Sequence, residues 1–426
     1  MDSKTELQDI YKDGIDFAAL ASADDDFAQV YRCGKLDLQD PRSLQQLTKS
    51  LLKRDFNIKL ELPEDRLCPP VPIRLAYITF LTSLLSSTHP SYSPSSTSPV
   101  TGLDIGTGAS LIYPLLGTST HPTWTFHATD IDAHSLSFAH LNHSHNPSLS
   151  PRITIHSTTP AAPLLDLNTW DIPSLDFCMC NPPFYASPAD LYASAENKIL
   201  PPSAVCTGGE NEMVTAGGDA GFALRMVEES IGLRERVRWY SIMLGRLSSV
   251  HTVVEAVKKA GCGNWAVGVL GPGRRTRRWV MAWSWGQYRP SEELVRAGDV
   301  GQGLWGPATL RTVGVDGEGE EWVRERVGRV LGELDVRWTW DGGKDCGVVE
   351  AWGNTWSRSA RRKRARVDGD GDVKATNGAE ESDEKVALAV RITVHKESLE
   401  VRWLRGLDAV LFESFCGMLK RAMKPA

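Results

Sequence analysis

Short apolar runs alternate with helix-period stretches through the middle of the chain. Leu175 to Cys180 is apolar at every position except Asp176, which predicts a buried strand. Gly102 to Ile105 and Thr123 to Thr129 predict two more strands. Each is followed by a helix start, at Ser110–Tyr113 and at Asp132–Leu136. Strands that alternate with helices predict an α/β fold with a doubly wound, Rossmann-like parallel sheet, here within 71–290. Trp279, Trp283 and Trp285 recur at strand spacing and are expected in its core, while Phe222–Ser230 reads as an amphipathic cover helix.

Other patterns flank this domain. Residues 1–70 predict an N-terminal helical module, with helical periodicity at Phe17–Ala21 and Pro41–Leu52, Pro41 suiting a first turn. Leu62 to Pro72 is a proline-punctuated connector, and Ile73 to Ile78 begins another helix. Ser86 to Pro99 is rich in Ser, Pro and Thr and is expected to be a flexible loop. Residues 291–319 are expected to be a linker, glycine-rich at Gly298–Gly306. Residues 320–426 predict a C-terminal α+β domain. Its helix is Glu320–Leu334, its four strands are Val336–Trp340, Gly347–Trp352, Ala387–Val394 and Ser398–Trp403, and Gly406–Met423 closes it. A polar stretch at about 357–386 has the composition of a disordered insertion.

Composition narrows the class. A chain of 426 residues, 41% hydrophobic and 23% charged, has the make-up of a globular protein with room for two or three cores. No run of about 18 apolar residues exists, so no membrane span is expected. The polar N-terminus is unlike a secretory signal. Eight scattered cysteines without a Cys-x-x-Cys pair suit a reducing compartment. The histidines at 134, 140, 143 and 145 lack partners at ligand spacing, so no metal is expected. Net charge is −6. A nucleic-acid enzyme with that balance must concentrate its positive charge locally.

The chemistry sits at the strand ends. Asn181-Pro182-Pro183-Phe184 follows the third predicted strand. The exocyclic amine of adenine is a poor nucleophile, because its lone pair is delocalised into the ring. The Asn181 side-chain oxygen and the Pro182 carbonyl can accept its two hydrogens and localise that lone pair. Pro182 and Pro183 fix where the acceptors point, and Phe184 offers a stacking face for a flipped base. Upstream, Asp104-Ile105-Gly106-Thr107-Gly108-Ala109-Ser110 ends a strand in a glycine turn and opens a helix. Position 111 is Leu, where a dinucleotide site prefers Gly. The turn suits S-adenosylmethionine instead, and Asp130 at the next strand end can accept its ribose hydroxyls. Arg274, Arg275, Arg277 and Arg278 crowd a glycine-rich loop that suits phosphate. The basic block Arg358–Arg366 suits nuclear import or RNA contact.

These residues resemble one family, the U6 small nuclear RNA adenine-N6 methyltransferases. Tyr11-Lys12-Asp13, Leu51–Phe56, Val71–Leu75, Asp104–Ser110, Tyr113–Gly117, Asp176–Phe184, Thr207-Gly208-Gly209, Glu212-Met213, Arg238–Ser241 and Arg275–Trp279 carry the likeness. It implies a class I S-adenosylmethionine-dependent methyltransferase fold with an RNA-contacting N-terminal module. It also implies that Arg74, Gly106, Ser110, Asp130 and Asn181 lie at the methyl donor. Lys12 then joins the arginine loop as an RNA contact, and 320–426 resembles an accessory RNA-binding region. The expected substrate is structured RNA, U6 most of all, and the expected location is the nucleus, with the cytoplasm also open. Two departures stand out. Asp130 occupies a position where glutamate is usual, and Glu196–Pro202 is less basic than the family pattern. Ribosomal RNA adenine methylation, glutamine-N5 methylation of a protein, and RNA binding with weak catalysis remain open alternatives.

Overall fold

In the computed structural model, described over residues 10–93, 98–196, 208–271, 277–296, 300–315, 319–360, 362 and 386–424, a seven-stranded sheet carries the strand ends that matter. Its strands are β1 (Val100–Ile105), β2 (Trp124–Asp130), β3 (Ile153–Ser157), β4 (Leu175–Cys180), β5 (Val237–Leu244), β6 (Trp265–Leu270) and β7 (Arg278–Trp283). Their order is β3-β2-β1-β4-β5-β7-β6, and only β7 runs antiparallel to its neighbours. Helices cover a parallel sheet on both faces, which explains why β4 reads as a continuous apolar run rather than an alternating one. The strand order reverses between β1 and β4. Ligands bind at such a switch point, outside the carboxyl ends of the strands. Ile105 pairs with Cys180, so the chain leaves both strands side by side, into Gly106 and into Asn181.

The sheet's core joins Leu103, Cys178, Tyr240, Val253, Met281 and Trp283. The expectation holds for two of the tryptophans: Trp283 is fully buried, Trp285 nearly so, and both indoles donate to Ser230 Oγ at 3.1 Å, while Trp279 is only partly buried and packs against the core.

The N-terminal module consists of α1 (Phe17–Ala23), α2 (Asp25–Val30), a two-residue hairpin and α3 (Pro41–Phe56). Asp16, Asp24 and Asp40 cap the three helices through their side chains. By contacts the module belongs to the same compact unit as the seven-stranded sheet, which comprises Met1–Leu85, Ser95–Gly286 and Arg296–Trp305. Beyond α3 the chain extends, with Ile58, Leu60 and Leu62 buried in alternation. Among the described residues no strand pairs with it. Two asparagines satisfy its backbone instead, one on α6 (Ala133–His145) and one at its C-cap. Asn146 exchanges hydrogen bonds with the N–H and C=O of Lys59 (2.9 and 2.8 Å), and Asn142 does the same for Glu61 (2.7 and 2.9 Å). Spacing of four residues places both amides on one helix face, where they act as a short ladder.

A second unit comprises Ser86–Pro94, Gln287–Val295 and Gly306–Ala426. Its five-stranded antiparallel sheet contains β8 (Leu310–Gly314), β9 (Arg337–Asp341), β10 (Cys346–Ala351), β11 (Leu388–His395) and β12 (Ser398–Arg405), in the order β8-β12-β11-β10-β9. Helices α10 (Gly319–Gly332) and α11 (Ala409–Ala422) supply Val323, Val327, Phe412 and Phe415 to the core on one face of this sheet. Two expectations are corrected. The supposed linker 291–319 contributes the strand β8 and the short helix Glu292–Val295. The Ser/Pro/Thr-rich stretch is not simply a free loop: the Tyr92 hydroxyl donates to Glu350 at 3.0 Å, and the carbonyls of Ser87 and Tyr92 accept from Arg402 and Arg391. One aromatic anchor and two carbonyls hold its described part, 86–93. Most of the basic and polar insertion, including 363–385, lies outside the described residues. Among those residues no helix is long and apolar enough to cross a membrane, and no group of three or more His, Cys, Asp or Glu could hold a metal.

Candidate active site

The turn after β1 is shaped by two glycines with left-handed backbone, Gly106 (φ +72°) and Gly108 (φ +64°). The N–H groups of Gly106 and Thr107 both donate to the Thr129 carbonyl at 2.9 Å, which holds the turn against the end of β2. Gly108 N donates to Asp130 Oδ2 at 2.8 Å, and Asp132 N donates to Asp130 Oδ1 at 2.9 Å. Each carboxylate oxygen keeps a further lone pair for a hydroxyl. A Cβ on Gly106 would meet nothing within 4 Å, so the turn borders open space. Leu111, at the position a dinucleotide fold gives to glycine, is fully buried and takes a left-handed backbone (φ 52°) to start α5 (Ile112–Thr120). This is a strained conformation for a branched side chain.

Five buried polar atoms in this region have no hydrogen-bond partner: Asp104 Oδ1 and Oδ2, Thr107 Oγ1, Arg74 Nε and Asn181 Oδ1. Buried polar groups are normally paired, and each orphan costs about 1–3 kcal/mol. A cluster of donors and acceptors of both signs is what a zwitterionic amino-acid tail needs. Arg74, 5% exposed on α4 (Val71–Ser87), is held by its Nη1, which donates to the Tyr113 hydroxyl at 2.9 Å. Burial pushes the Asp104 carboxyl up to about 7, opposed by the neighbouring Thr107 hydroxyl, whose geometry falls short of a hydrogen bond, and by Arg74, with nearby Asp130 adding to the rise. Burial also raises the Asp130 carboxyl from its ordinary value, with the backbone N–H groups of Asp132 and Gly108 opposing the rise. Both acids therefore favour a ligand that brings positive charge.

The base side of the site lies past β4. Asn181 is half-buried and Pro182 buried. Tyr185 is pinned by exchange with the segment after a short helix: its N–H donates to the Met213 carbonyl at 3.0 Å, and its carbonyl accepts from Thr215 at 2.9 Å. Phe184 packs beside Gly245, where an added Cβ would stand 3.2 Å from its ring. Gly245 N donates at 2.7 Å to the buried Asp219, which also accepts from Ser249 Oγ at 2.7 Å. The guanidinium of Arg278 lies over the Phe184 ring, 4.9 Å from its centroid. A cleft of about 180 Å³ beside this ring is lined by Phe184, Gly218, Asp219, Arg246, Ser249 and Thr252.

The structure brings together most of the residues singled out from sequence. Asp104, Gly106, Gly108, Ser110, Asp130 and Asn181 converge at the carboxyl ends of β1, β2 and β4, and Arg74 joins them from α4. Arg278 is corrected: it is the first residue of β7, paired with Leu270, rather than part of a loop. Arg277 is exposed just before it, Lys12 is exposed in the N-terminal module, and Arg274 and Arg275 lie outside the described residues. Sequence reasoning did not assign roles to Tyr113, Ile131, Glu212 or Asp219. Ile131 follows Asp130 and is 46% exposed, an apolar face beside the acid that a planar ring could cover. Glu212 had a usable signal, since it stands three residues after the N-cap Gly209 and accepts from its N–H, one half of a capping box.

A model of a family of RNA methyltransferases matches residues 3–287. The chain belongs to this family. It is 34% identical over 395 residues to the U6 small nuclear RNA (adenine-(43)-N(6))-methyltransferase of Schizosaccharomyces pombe, covering 92% of this chain and 96% of that protein. It is 37% identical over 277 residues to the human RNA N(6)-adenosine-methyltransferase METTL16, 63% of this chain and 48% of that protein, so it spans about half the length of that relative. Two solved structures of human METTL16 superpose on it. One is the catalytic domain in complex with MAT2A 3′UTR hairpin 1 (TM-score 0.56, 37% identity, 64% of this chain and 91% of that one). The other is the N-terminal domain in complex with S-adenosylhomocysteine (TM-score 0.52, 34% identity, 64% and 94%). The family likeness and the strand order agree on a class I S-adenosylmethionine-dependent methyltransferase fold.

Proposed function

We propose that this protein is an RNA adenine-N6 methyltransferase that uses S-adenosylmethionine and acts on U6 small nuclear RNA. The observation that carries the reading is Asn181 Oδ1, a buried acceptor with no partner at the strand end beside the glycine turn. The orphaned atoms of Asp104, Thr107 and Arg74 fit the donor's charged tail, and Asp130 fits its ribose. When bound, the donor supplies an electrophilic methyl carbon. The chain's own residues do the rest. Phe184 stacks the extruded adenine. Asn181 Oδ1 and the Pro182 carbonyl accept the two N6 hydrogens. Both acceptors favour a nitrogen on its way to tetrahedral geometry over the flat ground-state amine, so they stabilise the transition state preferentially. Positioning is the main catalytic term. The nitrogen becomes acidic only as its new bond forms, so no strong base is required.

The U6 reading is supported by the name of the fission-yeast relative, which aligns over nearly its whole length. Arg278 over Phe184, with exposed Arg277 beside it in sequence, supports an RNA grip at the mouth of the site, and exposed Lys12 supports an RNA contact from the N-terminal module. The second unit fits an accessory RNA-binding role. The basic block at 358–366 supports nuclear import, and its replacement by alanines is expected to leave a tagged protein in the cytoplasm. The substrate is tested by incubating the protein with labelled donor and total RNA, then sequencing the labelled species. Label in U6 is expected. Label confined to ribosomal RNA, or to protein in a parallel lysate, would contradict the substrate assignment.

A further inference from the structure

We infer that Glu212 is a positioning residue for the methyl donor, tying together the chain segments that flank Asp130 and the glycine turn. This rests on the donor site proposed above. Glu212 Oε2 accepts from Leu67 N at 2.8 Å and from Gly209 N at 2.9 Å. Its other oxygen faces the glycine turn: a Cβ on Gly108 would stand 3.5 Å from Oε1. Gly108 N donates to Asp130 Oδ2, and Asp132 N donates to Asp130 Oδ1. Asp132 Oδ1 accepts from Arg66 Nη2 at 3.0 Å, and Arg66 is covalently next to Leu67. Hydrogen bonds and the Arg66–Leu67 peptide thus join Gly108, Asp130, Asp132, Arg66, Leu67 and Glu212 in one chain, whose open end, Glu212 Oε1, faces Gly108. Glu212 is the single side chain in it that joins the extended segment before α4, the segment around Gly209 and the glycine turn.

Its chemistry suits the task. The carboxylate is partly buried, and burial raises its proton affinity, opposed by the two backbone N–H groups and Arg66 and reinforced by nearby Asp130. An acceptor that takes two N–H groups fixes two chain segments at once, and groups that hold a binding site in shape act on affinity without touching the reacting atoms. Losing it frees the wall of the site beside Asp130, while the two hydrogen bonds removed go to Leu67 and Gly209 and not to Asn181, Pro182 or Phe184.

The test compares Glu212→Ala and Glu212→Gln in the full chain. The amide oxygen of Gln can accept both N–H groups as Oε2 does, so it is the conservative rescue. Calorimetry with S-adenosylhomocysteine is expected to show roughly tenfold weaker binding for Glu212→Ala, the scale of a lost charge-assisted hydrogen bond. Glu212→Gln is expected to regain most of it. RNA hairpin affinity should be unchanged within about twofold, and KM for the donor should rise while kcat stays near the parent value. Unchanged S-adenosylhomocysteine affinity in Glu212→Ala would overturn the inference. A matching loss of RNA affinity, or no recovery in Glu212→Gln, would also overturn it, because a residue needed only for folding behaves that way. If the unmodified chain does not bind S-adenosylhomocysteine, the donor-site reading itself fails. If it binds, and Asp130→Ala alone abolishes binding, that reading stands and only the role of Glu212 falls.

Discussion

Asp104 is fully buried with both oxygens unpaired, and its carboxyl is pushed up to about 7 by that burial. Its unfolded value is near 3.8. Between those two values the native state holds a proton that the unfolded state has lost. This group therefore makes stability fall as pH rises through that window, and its contribution levels off above about 7. A ligand that carries an ammonium or sulfonium charge selects the ionised form, so donor binding must expel the proton. Donor affinity is expected to rise from pH 6 to pH 8, with a buffer-dependent calorimetric enthalpy that reports proton release. Asp104→Asn is expected to melt higher than the parent at pH 8 without donor, and to bind donor weakly at every pH. A pH-independent affinity in the parent would contradict this reading of Asp104. The residue is thus a site where stability is given up for binding.

Two features at the scale of elements show what was legible in the sequence and what was not. Asn181, Gly106 and Asp130 were legible because each sits in a contiguous motif at a strand end, and parallel topology brings strand ends together. The ladder formed by Asn142 and Asn146 was not. Its partners lie 81 and 87 residues away, and polar residues on a helix read as a solvated face. Glu212 to Leu67 spans 145 residues and Tyr92 to Glu350 spans 258, so the same limit applies. Asn142 carries three hydrogen bonds, two to Glu61 and one from Nδ2 to the Ala109 carbonyl in the glycine turn at 2.9 Å. Asn142→Ala strands all three backbone groups and is expected to cost roughly 2–4 kcal/mol of stability in denaturant titrations. A loss below about 0.5 kcal/mol would mean the ladder is replaceable by solvent. On the other side of the site, the start of β7 aims Arg278 at Phe184. Arg278→Ala is expected to weaken RNA binding and to make its salt dependence shallower by about one in log–log slope. Donor affinity should not move; a variant with the parent's salt slope would remove Arg278 from the phosphate grip.

The whole molecule is less linear than its sequence suggests. The second unit draws on three stretches of chain, and its boundary is not where the composition changes. Arg289, 1% exposed, donates from its backbone N to Leu404 and from Nε to Gly406 at 2.7 Å, with its guanidinium 4.0 Å from the Trp403 ring centroid. Glu292 accepts from the N–H groups of Thr309 and Leu310 at 2.7 and 3.1 Å. A chain that begins at Gly306 lacks both residues, while one that begins at Gln287 keeps them. The longer chain is expected to melt higher by at least about 4 °C, the shift that roughly 1 kcal/mol produces in a domain of this size. Equal melting temperatures by circular dichroism would mean that Gln287–Val295 is ornamental to that unit.

The central claim is that Asn181 serves the transition state of methyl transfer to adenine N6. The most direct measurement digests hairpin RNA after reaction with S-adenosylmethionine and quantifies N6-methyladenosine by mass spectrometry, for the parent chain and Asn181→Ala, at saturating RNA and donor. N6-methyladenosine is expected from the parent, and a rate lower by on the order of a hundredfold or more from the variant with RNA affinity nearly intact. Methylation at another atom, or full activity in Asn181→Ala, would contradict it.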